Sequence, residues 1–224
     1  MDFYSVLVEI YPMLLDGLAM TLQTSLIAIF IAFFLGLLSC VMGISKIVPL
    51  SLISKFYVWV IRGTPFIVQL FIIKYGIPQL IKLWMPEFNI SIFQAAVITL
   101  ALNAGAYMSE IFRGSIAAID PGQMEAARSL GLTYWRSMFR VVLPQAIKNM
   151  IPSIVNQLII TLKDTSILSV IGFPELVNKA QNVIAITFKS FQVWAIVAVM
   201  YLVVILSLQQ VAKALERRLN RGRE

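Results

Sequence analysis

Three uncharged intervals constrain this chain more than any other feature. Gly17–Ser45, Phe88–Ser109 and Ser190–Ala212 run for 29, 22 and 23 positions without an Asp, Glu, Lys or Arg. About 20 apolar residues in a helix cross the hydrocarbon of a bilayer. Inside that hydrocarbon a backbone must bond to itself, so such segments fold as α-helices. The chain therefore reads as an all-α integral membrane protein. Its hydrophobic share of 59% and mean hydropathy of +0.86 exclude a soluble domain. At 224 residues it is long enough for one membrane domain.

Two further spans are less uniform. One covers roughly 52–80 and is interrupted by Arg62-Gly63-Thr64-Pro65, with eleven uncharged residues between Arg62 and Lys74. Pro65 removes a helical donor and loosens the helix there, which makes a gating kink. Alternatively, Arg62 only snorkels to the cytoplasmic headgroups. Gln69 follows about one turn later. The other span covers 149–172. It holds Lys163-Asp164-Thr165-Ser166 after 14 uncharged positions and ends at Gly172-Phe173-Pro174. A charge at the bilayer centre costs roughly 2.5–3.5 kcal/mol, so Lys163 and Asp164 need a partner or water.

The expected spans are thus about 17–43, 52–80, 89–110, 149–172 and 190–212. The third carries Ala101, Ala104, Gly105 and Ala106 around Asn103, small residues that let helices approach closely. Residues 1–16 contain acids and no base, which is no secretory signal. They read as an outside, interfacial lead-in with Tyr4 and Tyr11 near the headgroups. Residues 113–147 form a cytoplasmic loop, 175–189 a polar loop with a short helix, and 217–224 a basic tail.

Charge sets the orientation. Lys46, Lys55, Arg113, Arg128, Arg136, Arg140, Lys148 and five bases from Lys213 onward fall on one side, against Lys82, Lys179 and Lys189 on the other. The positive-inside rule puts the N-terminus outside and the C-terminus in the cytoplasm. The net charge of +7 belongs to cytoplasmic loops and anionic lipid, not to nucleic acid. Cys40 is the single cysteine and there is no histidine, which argues against disulfide, haem, metal and imidazole chemistry. No P-loop occurs among the eleven glycines. No catalytic or metal-ligating set is expected.

The longest polar interval is Asp120–Pro144, DPGQMEAARSLGLTYWRSMFRVVLP. Asp120 can cap a helix, Pro121 suits its first position and Gln123 sits where a capping-box partner belongs. Gly131 ends that helix in a left-handed conformation. Thr133 can cap a second short helix that stops before Pro144. Ala126 and Ala127 would leave a bare patch beside Glu125 and Arg128, a small-faced helix presented for docking.

Glu125-Ala126-Ala127, Gly131, Val141 and Leu143-Pro144 at this spacing resemble the EAA loop of ATP-binding cassette importer permeases, with Val141 in place of the pattern's Ile. In that family the loop is the coupling helix that sits in a cleft of the ATPase subunit. Arg62-Gly63-Thr64-Pro65, Asn103 with Gly105-Ala106-Tyr107 and Glu110, Arg113-Gly114 and Lys163-Asp164-Thr165-Ser166 resemble the polar-amino-acid uptake branch, the histidine/glutamine type. The resemblance covers roughly 17–216. It implies a five-helix type I importer fold in the bacterial inner membrane and transport by alternating access. It also implies two cassette ATPase subunits carrying ATP and Mg, a second permease chain, identical or sister, and an extracytoplasmic solute-binding protein.

A polar amino acid needs polar partners within the spans. Lys163, Asp164, Thr165, Ser166, Asn156, Gln157, Asn103 and Gln69 are the residues available. The bland alternative for Asn103, Asn156 and Gln157 is interhelical hydrogen bonding, and for Lys163 and Asp164 it is pairing with each other or with Glu110. Another small polar solute is an alternative cargo. A passive channel or ion-coupled carrier is an alternative class, against which stands the absence of matched broken segments in two halves.

Overall fold

The structure is a computed structural model that describes the backbone of residues 3–220, with side chains over 10–215 and at Arg217. The expected interfacial role of Tyr4 and most of the basic tail lie outside those described side chains. Ten α-helical pieces follow one another. They are α1 Phe3–Ile44, α2 Val48–Gly63, α3 Phe66–Phe71, α4 Ile77–Ile81, α5 Ile92–Ala117, α6 Pro121–Ser129, α7 Tyr134–Ser137, α8 Leu143–Asp164, α9 Leu176–Thr187 and α10 Ser190–Asn220. Wider π turns at Ile72–Gly76 and Met138–Val142 and a 3₁₀ segment at Thr165–Ile171 join some of them without a loop. Four described helices are each long and apolar enough to cross a membrane, and a bent pair makes a fifth crossing if it is one span.

Helix α1 starts well before the expected Gly17. At 42 residues it is about 63 Å long, roughly twice the hydrocarbon thickness. The lead-in is part of the same helix because Ile10 and Leu14 are buried against α9 and α10. Tyr11 stays 45% exposed on the other side.

Helix α5 is the central element, packed along α1. Ser91 and Gln94 close a full capping box at its start. The two helices meet through small residues, among them Ala28, Ala32, Ala101 and Ala104. A Cβ on Gly36 would lie 2.7 Å from Met108 Cβ, and one on Gly105 would lie 2.9 Å from the Tyr57 hydroxyl. Without side chains the two backbones close on each other, and the packing is dispersion at short range. Ser54 Oγ donates to Ser39 O at 2.7 Å and Ser109 Oγ to Ser39 Oγ at 3.0 Å, tying α2 into the same seam.

Three boundaries correct the sequence reading. The second span does not merely kink: α2 ends at Gly63, and its continuation from Phe66 turns away by 110°. The helix begun at Tyr134 does not stop before Pro144. It runs on to Ile171, because the π turn shifts the register before the proline and Leu143 N bonds to Met138 O. The short helix expected within 175–189 is present and longer than expected, with α9 filling Leu176–Thr187 and leaving little loop.

Candidate functional site

The polar corner is built by local bonds. Asp120 Oδ1 accepts from Gly122 N at 2.8 Å at the start of α6. At its end Gly131 takes φ +85, Gly131 N bonds to Arg128 O at 2.9 Å and Leu132 N to Ala127 O at 3.2 Å. That is a Schellman closure, which needs the left-handed residue. The capping box expected at Gln123 does not form. Gln123 Oε1 instead accepts from Gln145 Nε2 at 3.1 Å, so α6 is tied to the start of α8. Thr133 has the backbone of a cap, but its hydroxyl makes no cap bond.

Consecutive helical residues point about 100° apart, and this divides the expected bare patch. Ala127 is buried at 5% while Glu125, Ala126 and Arg128 face outward. Leu130, one turn after Ala126, is 85% exposed. The outward face is therefore Ala126 with Leu130, flanked by Glu125. Val141 and Leu143 are half-buried and Pro144 is exposed, so these three support the return into α8.

The break at Pro65 is closed by a remote side chain. Proline has no N–H, so the carbonyl four residues earlier, Ile61 O, loses its donor. Gln69 Nε2 supplies it at 2.7 Å and also donates to Thr64 O and Thr64 Oγ1 at 3.0 and 2.9 Å. Thr64 Oγ1 turns back to Val60 O at 2.8 Å. Gln69 is in turn held from α5, where Asn103 Nδ2 donates to its Oε1 at 3.0 Å. Gln69 and Asn103 therefore meet each other, as the hydrogen-bonding alternative required. Arg62 reaches Glu110 at 3.4 Å and lies over the Tyr107 ring at 5.3 Å. Arg113 holds the same carboxylate through two bonds.

The third group lies at the end of α8. Lys163 is exposed and Asp164 half-buried, and among the described residues the ion pairs are those of Glu110 with Arg62 and Arg113. Among the described residues Asp164 thus pairs with neither Lys163 nor another base. Thr165 is fully buried and donates to Leu162 O, while Ser166 donates to Lys163 O. Their oxygens keep acceptor capacity, but their protons are used by the backbone. Gln157 is buried and reaches Thr161 Oγ1 at 3.4 Å; Asn156 faces outward.

Glu175 was missed by sequence reasoning. It is fully buried between the 3₁₀ segment and α9. Its Oε2 accepts from Val177 N at 2.8 Å and its Oε1 from Asn178 N at 2.7 Å, so it caps α9 from inside the bundle. Burial pushes its carboxyl up to about 7, against the lowering effect of those two donors. The Tyr201 hydroxyl faces it, together with Thr21 and Thr165. That hydroxyl and Thr24 Oγ1 are buried without a hydrogen-bond partner among the described residues. The available signal was an acid after Gly172-Phe173-Pro174 and just ahead of an apolar helix, which is a capping position.

Comparison with known proteins bears on this arrangement. Residues 36–221 match the family described as binding-protein-dependent transport system inner membrane component. The arginine transport system permease protein ArtQ of Bacillus subtilis is 41% identical over 219 residues, covering 98% of this chain and 97% of that protein. The glutamine transport system permease protein GlnP of Escherichia coli K12 is 37% identical over 211 residues, covering 93% of each. A crystal structure of an amino acid ABC transporter with histidines aligns with a TM-score of 0.91 at 41% identity, over 97% of this chain and 99% of that one. The MetNI methionine ABC transporter, in an inward-facing form, aligns at 0.72 with 21% identity over 93% and 97%, a likeness of fold alone.

Proposed function

We propose an amino-acid import role on one premise: the chain belongs to the family of binding-protein-dependent transport system inner membrane components. It is the permease subunit of an ABC importer, with a type I importer fold. Its cargo is a polar amino acid, the class carried by the arginine and glutamine relatives. The work of the subunit is transport.

One observation carries the coupling role. The corner at α6 is closed by its own bonds, presents Ala126 and Leu130 outward, and stands between α5 and the 38-residue helix Tyr134–Ile171. A rigid corner between two long helices passes on a displacement instead of absorbing it. Closure of an ATPase pair beneath it would tilt those helices between inward and outward openings, a rigid-body switch. The proposed assembly has two cassette ATPase subunits that bind ATP and Mg, a second permease chain and an extracytoplasmic solute-binding protein. It sits in the cytoplasmic membrane with the N-terminus outside and the corner in the cytoplasm.

Within the spans, Asp164 is the proposed contact for the cargo ammonium, with Thr165 and Ser166 oxygens beside it. Support comes from its lack of any base partner among the described residues. Gln69 and Asn103 are assigned instead to the broken helix. The deciding experiment is co-purification with the cassette ATPase, followed by ATPase measurement with loaded binding protein. Stimulation by an amino acid is expected, and an ATPase that neither co-purifies nor responds removes the reading.

A further inference from the structure

We propose that the cleft between α1, α2 and α5 is a headgroup site for an anionic phospholipid of the leaflet on the coupling-corner side. The cleft has a volume of about 770 Å³, and its wall carries Lys55, Arg62, Arg113 and Glu110 with the hydroxyls of Ser54 and Ser109. Three bases face one acid, so an empty cleft holds two uncompensated positive charges. The bases are held in place. Glu110 binds Arg113 at 2.7 Å and Arg62 at 3.4 Å, and Arg62 also rests on Tyr107. Lys55 has no carboxylate partner among the described residues. The arginine side chains keep 43% and 53% of their surface exposed, which leaves donors turned to an incoming anion.

The surface beside the cleft decides which anion. Leu52, Ile53, Phe56 and Trp59 of α2 are 60%, 58%, 66% and 73% exposed and follow helical spacing, so they form one apolar stripe next to Lys55. Free phosphate or a carboxylate would use the charges and leave the stripe idle. A phospholipid uses both, with phosphate on the bases and acyl chains along the stripe. Trp59 then lies at the level of the headgroups, where tryptophan is favoured. Basic pockets between helices on the cytoplasmic side are a known form of lipid recognition. The leaflet assignment rests on the proposed orientation; the site itself does not.

Lipid retention tests this without any transport measurement, so its failure is separable from failure of the import reading. The intact assembly is purified from vesicles of equal phosphatidylglycerol and phosphatidylcholine, and retained lipid is counted by native mass spectrometry. Preferential retention of phosphatidylglycerol is expected. Lys55→Gln should lower its occupancy about fivefold, the effect of one base at a membrane surface. Lys148→Gln, an exposed base of α8 outside the cleft, should leave occupancy unchanged. Equal losses in the two variants would mean diffuse attraction and overturn the site, as would no preference between the lipids. Release by inorganic phosphate or by a transported amino acid would assign the cleft to a free anion instead. A disulfide between two permease chains carrying Trp59→Cys and Cys40→Ser would show that a second copy covers the stripe, and would also end the proposal.

Discussion

The chain breaks its helices at Pro65 and at the Gly131 corner, and the two are closed in opposite ways. At Gly131 the closing bonds span three and five residues. At Pro65 the freed carbonyl is taken by Gln69, and Gln69 is held by Asn103, 34 positions away. The first closure is a property of its own peptide. The second is completed only once α5 has packed beside α3, because Asn103 holds Gln69 from there. A locally closed corner keeps its shape while its surroundings move, which suits a part that transmits force. A remotely closed break has an angle set by its neighbour, which suits a part that follows α5.

The largest effect is expected from cutting the remote closure. Gln69→Leu strands Ile61 O and Asn103 Nδ2 in a low-dielectric setting, at roughly 2–3 kcal/mol. The purified complex should melt several degrees lower. Asn103→Leu should be non-additive with it, and additive double-mutant behaviour would mean that the two side chains do not act together.

Cutting the local closure should act more narrowly. Gly131→Leu strains the left-handed turn by roughly 1–2 kcal/mol and adds bulk next to the outward face. Insertion should stay normal and melting should fall less than in Gln69→Leu, while ATPase association and amino-acid uptake are lost. Normal uptake in this variant would break the contrast, because the corner would then tolerate a change of shape.

A smaller thermal effect is expected at Asp164. With no base partner among the described residues, Asp164→Asn leaves none of those cations stranded, so melting should shift little. The Michaelis constant for uptake, or the amino-acid stimulation of ATPase activity, should change instead. A large melting shift with stimulation intact would return Asp164 to a structural role.

The last effect concerns pH. Glu175 titrates near 7 in the folded chain, above the ordinary carboxyl value of 4.5, because burial disfavours its charge. A raised folded value means the folded state holds the proton more tightly. The contribution is full below about 4.5 and is lost as pH rises through about 7. Wild type should therefore melt progressively lower between pH 5 and 8, and Glu175→Gln should remove that slope. Parallel pH profiles for the two proteins would show that the buried carboxyl is not the titrating group.

Some of the site was legible before any coordinates. The cap at Asp120 and the positive φ at Gly131 follow from residue types within a few positions. Pro65 marked a break but could not give its angle. Ala126 and Ala127 read as one patch in a string of letters, and helical geometry turned one of them inward. Pro144 read as a stop, yet a π turn ahead of it lets the helix continue. Gln123 looked committed to its own cap and instead met Gln145, 22 positions on.

The sequence by itself determined the class of molecule. Uncharged intervals of 29, 22 and 23 residues leave a chain no option but membrane helices, since backbone groups in hydrocarbon must bond within their own segment. Only the tertiary structure decided the partners of the polar groups in and between those helices. It joined Gln69 to Asn103, gave Glu110 to two arginines, left Asp164 without a base among the described residues and buried Glu175 among hydroxyls from other helices. The physical reason is range. Backbone bonds and caps close within about five residues, so composition and spacing specify them. A side chain in lipid takes whichever polar partner packing brings within 3 Å, and distance along the chain carries no information about that.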